Sequence, residues 1–215
     1  MTTKAYSMND YNEQQAKKQA FREEHARRTA ELNRIIRPLA TAKYEVDCDF
    51  NYIRKALDDY ADDWGGLELN PDFQRGHVWS EEQQRHFIEN ILRGVVSSSG
   101  FMVQFNCPNW EFETYVGDLP RGFQCIDGLQ RITAVLSFME GHVRPFGLHV
   151  RDFDGSSYST RGGKFRLRFA VHTFQNKAEL LQHYLDLNAG GTPHSSEEID
   201  RVRAMRERIL QKELV

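Results

Sequence analysis

The chain has 215 residues, 40% of them hydrophobic and 27% charged, with a net charge of -3. That is enough for one medium domain and a helical appendage, and it argues against a protein that grips duplex DNA chiefly through a basic surface, because such binding rests on Lys and Arg neutralising phosphates. No stretch has the apolar length of a membrane span and MTTKAYSMND lacks the apolar core of a secretory signal, so the chain is expected in the cytosol with no membrane partner.

In chain order, residues 9 to 37 read as one long polar helix without internal Gly or Pro, rich in Ala, Glu, Gln, Arg and Lys. Its sparse apolar positions (Tyr11, Ala16, Ala20, Phe21, Leu32, Ile35 and Ile36) leave two readings open: a solvated arm, or an arm that pairs with a partner or a second copy. The expected division is a helical arm over 1–40 and one domain over 41–215. Residues 43 to 48 alternate like a strand, and 50 to 60 put Ile53, Leu57 and Tyr60 on one helical face. Trp64-Gly65-Gly66 is a turn and 67 to 70 a short strand stopped by Pro71. Ser80 is the expected N-cap of a helix whose buried face is Phe87, Ile88, Ile91 and Leu92 and whose end is Gly94. Residues 100 to 106 and 111 to 116 read as a hairpin around Cys107-Pro108-Asn109. Phe123, Cys125 and Ile126 mark a strand, Ile132, Val135, Leu136 and Met139 a helix closed by Gly141. Further strands are expected at 146 to 150 and 165 to 171, a helix at 177 to 187, and a last helix from Ser195 or Ser196 with Ile199, Val202, Met205 and Ile209 as its stripe. Alternating helices and strands give an α+β or mixed α/β class.

Cys48, Cys107 and Cys125 are widely spaced, make no CxxC pair, and read as buried thiols. The eight histidines form no HExxH or Cys/His pattern, so no structural metal site is expected.

The excess polar chemistry lies at IDGLQR. Strand, tight turn and helix aim the free N–H groups of the helix start at whatever sits above the turn, and an arginine beside them makes an anion site. Asp127 suffices as a cap; Gln130 and Arg131 are not needed for capping. Arg131 supplies a forked charged donor, Gln130 can orient water or read a base edge, and Asp127 can orient Arg131, position water or meet a divalent ion that bridges phosphates. Gln74, Arg75, His77 and Trp79 form a second polar group ahead of Ser80. The plain alternative is that Trp79 packs on the helix and the arginines form ion pairs.

The segments PDFQRGHVW, IDGLQRITA and LNAGGTPHSSEEI, in this order, resemble the N-terminal domain of the GmrSD-type modification-dependent restriction enzymes, which carries pDYQRxxVW, DGQQRLtT and N-x-G-x-P-L-S-x-x-E segments at similar spacing. The resemblance covers roughly residues 43 to 205. It implies a ParB/sulfiredoxin-like fold, a small mixed sheet with flanking helices, and an activity linked to hydrolysis or sensing of nucleoside triphosphates in defence against phage DNA. Carried over by position, Asp127, Gln130 and Arg131 are the catalytic candidates. Gln74, Arg75, Trp79, Gly128, Arg131, Thr133 and Asn188 are the nucleotide- and phosphate-binding candidates. Asp127 is the candidate contact for Mg²⁺. Asn188, Gly191, Pro193 and Glu197 answer the third segment, with His194 in place of its leucine. Leu129 stands where the family has glutamine and where sulfiredoxin chemistry needs cysteine, so sulfiredoxin activity is not expected. No His-Asn-His nuclease constellation is visible. Three functions follow as expectations: an NTP-hydrolysing or NTP-sensing domain; a catalytically silent module of a phage or mobile element acting on a protein or DNA partner; and, third, a DNA-nicking nuclease.

Overall fold

The structure is a computed structural model and describes residues 8–111, 114–189 and 196–212. The chain divides into two compact units, 1–40 and 41–215. In the first unit, α1 (Met8–Ile36) runs for 29 residues. Ion pairs one turn apart, Lys17–Glu13 at 2.6 Å, Arg27–Glu24 at 2.8 Å and Arg28–Glu31 at 3.2 Å, line its solvated surface. Such exposed pairs add only about 0.3–0.5 kcal/mol each, so intrinsic propensity carries most of this helix.

The second unit is a mixed α/β fold around a five-stranded sheet. Its strands are β1 (Tyr44–Asp49), β2 (Leu67–Glu68), β3 (Met102–Asn106), β4 (Phe123–Asp127) and β5 (Arg166–His172), in the order β1-β5-β3-β4-β2. β1–β5 and β3–β4 are antiparallel, while β3–β5 and β2–β4 are parallel. Val103, Phe105, Phe123, Cys125, Leu167, Phe169 and Val171 join the larger core with Ile53 and Leu57 of α2 (Ile53–Trp64), Ile88 and Ile91 of α3 (Glu81–Leu92), and Ile132, Val135 and Phe138 of α4 (Leu129–Met139). Tyr60 stacks on Phe123 at 4.0 Å, and Phe105 meets Phe169 edge-on at 5.2 Å. A smaller core joins Phe73, Leu119 and Ile126 to Leu180, Leu181 and Tyr184 of α5 (Lys177–Ala189) and Val202 of α6 (Ser196–Lys212). All three cysteines are buried free thiols, and burial raises each thiol's pKa, that of Cys48 to about 11.

Ser80 caps α3 as its sequence suggests: its hydroxyl accepts from Gln83 N at 3.2 Å while Gln83 Oε1 accepts from Ser80 N at 2.9 Å. Three local expectations are corrected. The hairpin strand at 111 to 116 does not form where the segment is described, and Phe112 and Glu113 lie outside the described residues. β3 has no edge to offer it, because β4 and β5 occupy both sides. The connection instead packs by side chains: Trp110 stacks on Trp64 at 4.6 Å, and Asn109 bonds Trp64 O and Gly122 N. Residues 146 to 150 are not a strand. Phe146 and Gly147 take positive φ (54° and 77°), and His149 caps a 3-10 turn at Val150–Phe153. Finally, Gly128, not Asp127, is the N-cap of α4.

Between β5, β3 and α5 lies a buried polar cluster. His172 Nε2 is 2.9 Å from Gln104 Oε1, His183 Nε2 is 3.5 Å from the same oxygen, and the two rings are 4.6 Å apart. Burial, helped by the His183 charge, pushes His172 down to about 4, and burial lowers His183 as well. A histidine depressed in the folded state stabilises the fold fully above its unfolded pKa near 6.5, and that contribution is lost as pH falls towards the folded value. Denaturant melts between pH 7 and 4 are therefore expected to lose about 3 kcal/mol, with most of the loss below pH 6.5 removed in His172→Gln.

Candidate functional site

The start of α4 faces a cleft of about 180 Å³. Four stretches build it: Gln74, Arg75, Gly76 and Trp79 from the loop after β2; Ile126 to Arg131 from the turn; Tyr184 and Asn188 from α5; and Glu198 from α6. The structure thus brings together Asp127, Gly128, Gln130, Arg131, Gln74, Arg75, Trp79 and Asn188. Thr133 stands apart. Its hydroxyl donates to Leu129 O at 2.9 Å along the helix, and it does not line the cleft. Gly191, Pro193 and His194 lie outside the described residues.

Gly128 makes the turn possible. It sits at φ 108°, and a Cβ there would come within 3.0 Å of the Val103 backbone. The first α4 hydrogen bond is Ile132 N to Gly128 O at 3.0 Å, the N-cap glycine offers no side chain, and the Leu129 N–H faces the Cys125 thiol. The N–H groups of Gln130 and Arg131 are the donors an anion would use. Arg131 lies beside them, its side chain 25% exposed. Its Nη1 donates to Asp127 Oδ2 at 2.7 Å and to Met102 O at 2.9 Å. No hydrogen bond among the described residues uses Nη2 or Nε, so half of the fork is set for a ligand. Leu129, the departure from the family pattern, is 8% exposed and belongs to the larger core.

Gln130 does other work. Its Oε1 accepts from Val78 N (3.0 Å) and Trp79 N (3.1 Å), and its Nε2 donates to Gly76 O (2.8 Å). Both oxygen lone pairs are taken, leaving one N–H. Gln74 Nε2 likewise donates to Cys125 O. Trp79 packs at 5.3 Å on Phe87 while lining the cleft, so its packing and its site position hold at once. Asn188 uses its Nδ2 on Tyr184 O at 2.7 Å.

Three contributors escaped the sequence reading. The acid at the cleft is Glu198, with Glu197 exposed. Glu198 Oε1 accepts from Tyr184 OH at 2.7 Å, and its Oε2 lies 3.7 Å from Arg75 Nε. Burial and the Glu198 carboxylate raise the Tyr184 phenol far above its usual range. Arg201, one turn along α6, donates to the carbonyls of Asp72, Phe73 and Gln74 at 2.6 to 3.2 Å. Two signals were readable: with His194 at the leucine of the third segment, its S-x-x-E spacing runs from Ser195 to Glu198, and Glu198 is four residues before Val202, the fully buried member of the stripe.

Two arginines and two carboxylates thus share the cleft, Arg131 with Asp127 and Arg75 with Glu198. Among the described residues no three Asp, Glu, His or Cys side chains cluster as a metal would require. Asp127 is also committed to Arg131. The donor set does not make an all-protein Mg²⁺ cage, and the free oxygen of Asp127 is, among the described residues, the one carboxylate atom beside Arg131 that could meet a cation carried on phosphates. No described helix is long and apolar enough to cross a membrane.

No curated protein and no solved structure matches the chain. The family model described as the GmrSD restriction endonuclease, N-terminal domain, matches residues 53–200, which span the whole cleft, and the chain belongs to that family.

Proposed function

We propose that this domain binds a nucleoside triphosphate in the cleft, phosphates against the start of α4, Arg131 and Arg75, and senses that nucleotide for a DNA-restriction system. The observation that carries the reading is the half-used Arg131 fork beside a helix N-terminus whose N-cap is a glycine. A cleft of about 180 Å³ is below the ~300–1,000 Å³ of sites that enclose a drug-sized ligand, so it suits a phosphate group better than a whole nucleotide. The base and sugar would extend beyond it, past Trp79 or Asn188.

Sensing is favoured over rapid hydrolysis. The Gln130 oxygen is occupied, and one oxygen of the Asp127 carboxylate is already held by the Arg131 guanidinium at 2.7 Å. Hydrolysis is the second reading, and the 40% exposure of the Asp127 side chain keeps it open to water. Asp127 Oδ1 would take the proton of a water attacking the terminal phosphorus, and the diphosphate would leave.

Calorimetric titration with ATP, GTP, CTP and UTP, with and without Mg²⁺, tests the proposal when phosphate release is assayed in the same samples. At least one nucleotide is expected to bind, with slow release. Asp127→Asn should keep or tighten binding, since it removes a negative charge facing the phosphates, and should abolish any release. Wild-type protein that binds none of the four would overturn the reading and turn attention to a DNA or protein partner.

A further inference from the structure

The loop 72–79 carries Arg75 into the cleft, and α6 grips that loop twice. Arg201 takes the carbonyls of Asp72, Phe73 and Gln74, and Glu198, one turn earlier on the same helix face, reaches the Arg75 guanidinium. Lys177 of α5 adds an ion pair to Asp72 at 2.6 Å. Two contacts of Glu198 differ in kind. Tyr184 OH is at 2.7 Å, a tight hydrogen bond that fixes the carboxylate, whereas Arg75 Nε is at 3.7 Å, beyond hydrogen-bond length. The Glu198 side chain is 4% exposed and that of Arg75 41%. A fixed, buried acid therefore faces a half-exposed base that it steers without capturing.

We propose that Glu198 is a positioning residue that holds Arg75 at the cleft in the ligand-free protein, and that a bound phosphate takes Arg75 from it, so that α6 reports occupancy of the site. The exchange is chemically even, because the guanidinium trades one anionic oxygen for another and gains closer, forked contact with the phosphate. Glu198 keeps the Tyr184 hydroxyl, and the 72–75 loop stays on α6 through Arg201. The ligand half of this proposal rests on the nucleotide reading above; the positioning half does not.

Hydrogen exchange followed by mass spectrometry tests both halves in the full chain, using Glu198→Gln, which keeps a carbonyl oxygen for Tyr184 and removes the charge. In ligand-free protein, residues 72–79 of this variant should exchange at least about tenfold faster than wild type while the β3–β5 core is unchanged. Arg75→Ala should do the same, and the double variant should add nothing further, as expected when one residue acts through the other. Glu198→Asp, which shortens the reach but keeps the charge, should fall between. Unchanged exchange in Glu198→Gln, or additive effects in the double variant, would overturn the positioning role. With nucleotide added to wild type, α6 should exchange faster as Glu198 is released, and Arg75→Ala should show no such change. Bound nucleotide with α6 exchange unaltered would overturn the reporting role, whereas absence of nucleotide binding would overturn the function proposed above and with it the ligand half, leaving the ligand-free result to stand by itself.

Discussion

Replacing Arg131 by alanine is expected to weaken nucleotide binding about 10- to 150-fold, the equivalent of one charge-assisted hydrogen bond of about 1.5–3 kcal/mol. The upper end is favoured because the loss is compound. The phosphate loses its forked donor, and Asp127 loses the cation 2.7 Å away that neutralises it and would then face the phosphates bare. Arg131→Lys separates these effects. A lysine keeps the charge but cannot serve Met102 O, Asp127 and a ligand from one planar group, so it should recover only part of the affinity. Fold stability should change little in either variant, since the side chain is one-quarter exposed and water can replace it at the Met102 carbonyl. Calorimetry with the nucleotide that binds wild type, alongside thermal melts, gives both numbers. An unchanged Kd in Arg131→Ala at unchanged Tm would remove Arg131 from the site.

How much of this was readable beforehand depends on how far each feature reaches along the chain. Elements set by neighbouring residues were legible: the capped helix after Ser80, the alternating strands at 43 to 48 and 165 to 171, the strand, glycine turn and helix around Gly128. The false hairpin at 111 to 116 shows the limit. Alternation there was genuine, but whether a strand forms depends on whether a neighbour has a free edge, and β3 was already flanked by β4 and by β5, some forty residues further along. Phe146 failed for a local reason that alternation conceals, since a positive φ cannot continue a strand. The site followed the same rule. Motif order pointed to Gln74, Arg75, Asp127, Arg131 and Asn188, all of which line one cleft. The assignment of the third segment's glutamate to Glu197 was one residue off: its S-x-x-E spacing counted from Ser195 ends on Glu198, and helical phase against the core of Phe73 and Tyr184 agrees. The role of Gln130 was hidden because its partners are backbone atoms more than fifty residues away, which no side-chain pattern records.

Gln130 accordingly supports the second large effect. If it is the clamp of the 76–79 loop, Gln130→Ala removes three hydrogen bonds to Gly76, Val78 and Trp79. At about 0.5–1.5 kcal/mol each, discounted because part of the loop is open to water, the expected loss is about 1–3 kcal/mol, several degrees of Tm. The loosened loop should also be cut faster by trypsin after Arg75, which precedes the clamped stretch. Gln130→Glu sharpens the test. A carboxylate can still accept from Val78 N and Trp79 N but opposes the Gly76 carbonyl with an oxygen instead of a donor, so it should be intermediate in both measurements. A water-positioning glutamine behaves in the opposite way: phosphate release would collapse in both variants while Tm and cleavage after Arg75 stayed at wild-type values. The two roles therefore predict different columns of the same experiment. The occupied oxygen of Gln130 favours the clamp: to hold a water through that oxygen the side chain would have to let go of the loop that carries Trp79 and Arg75 into the cleft.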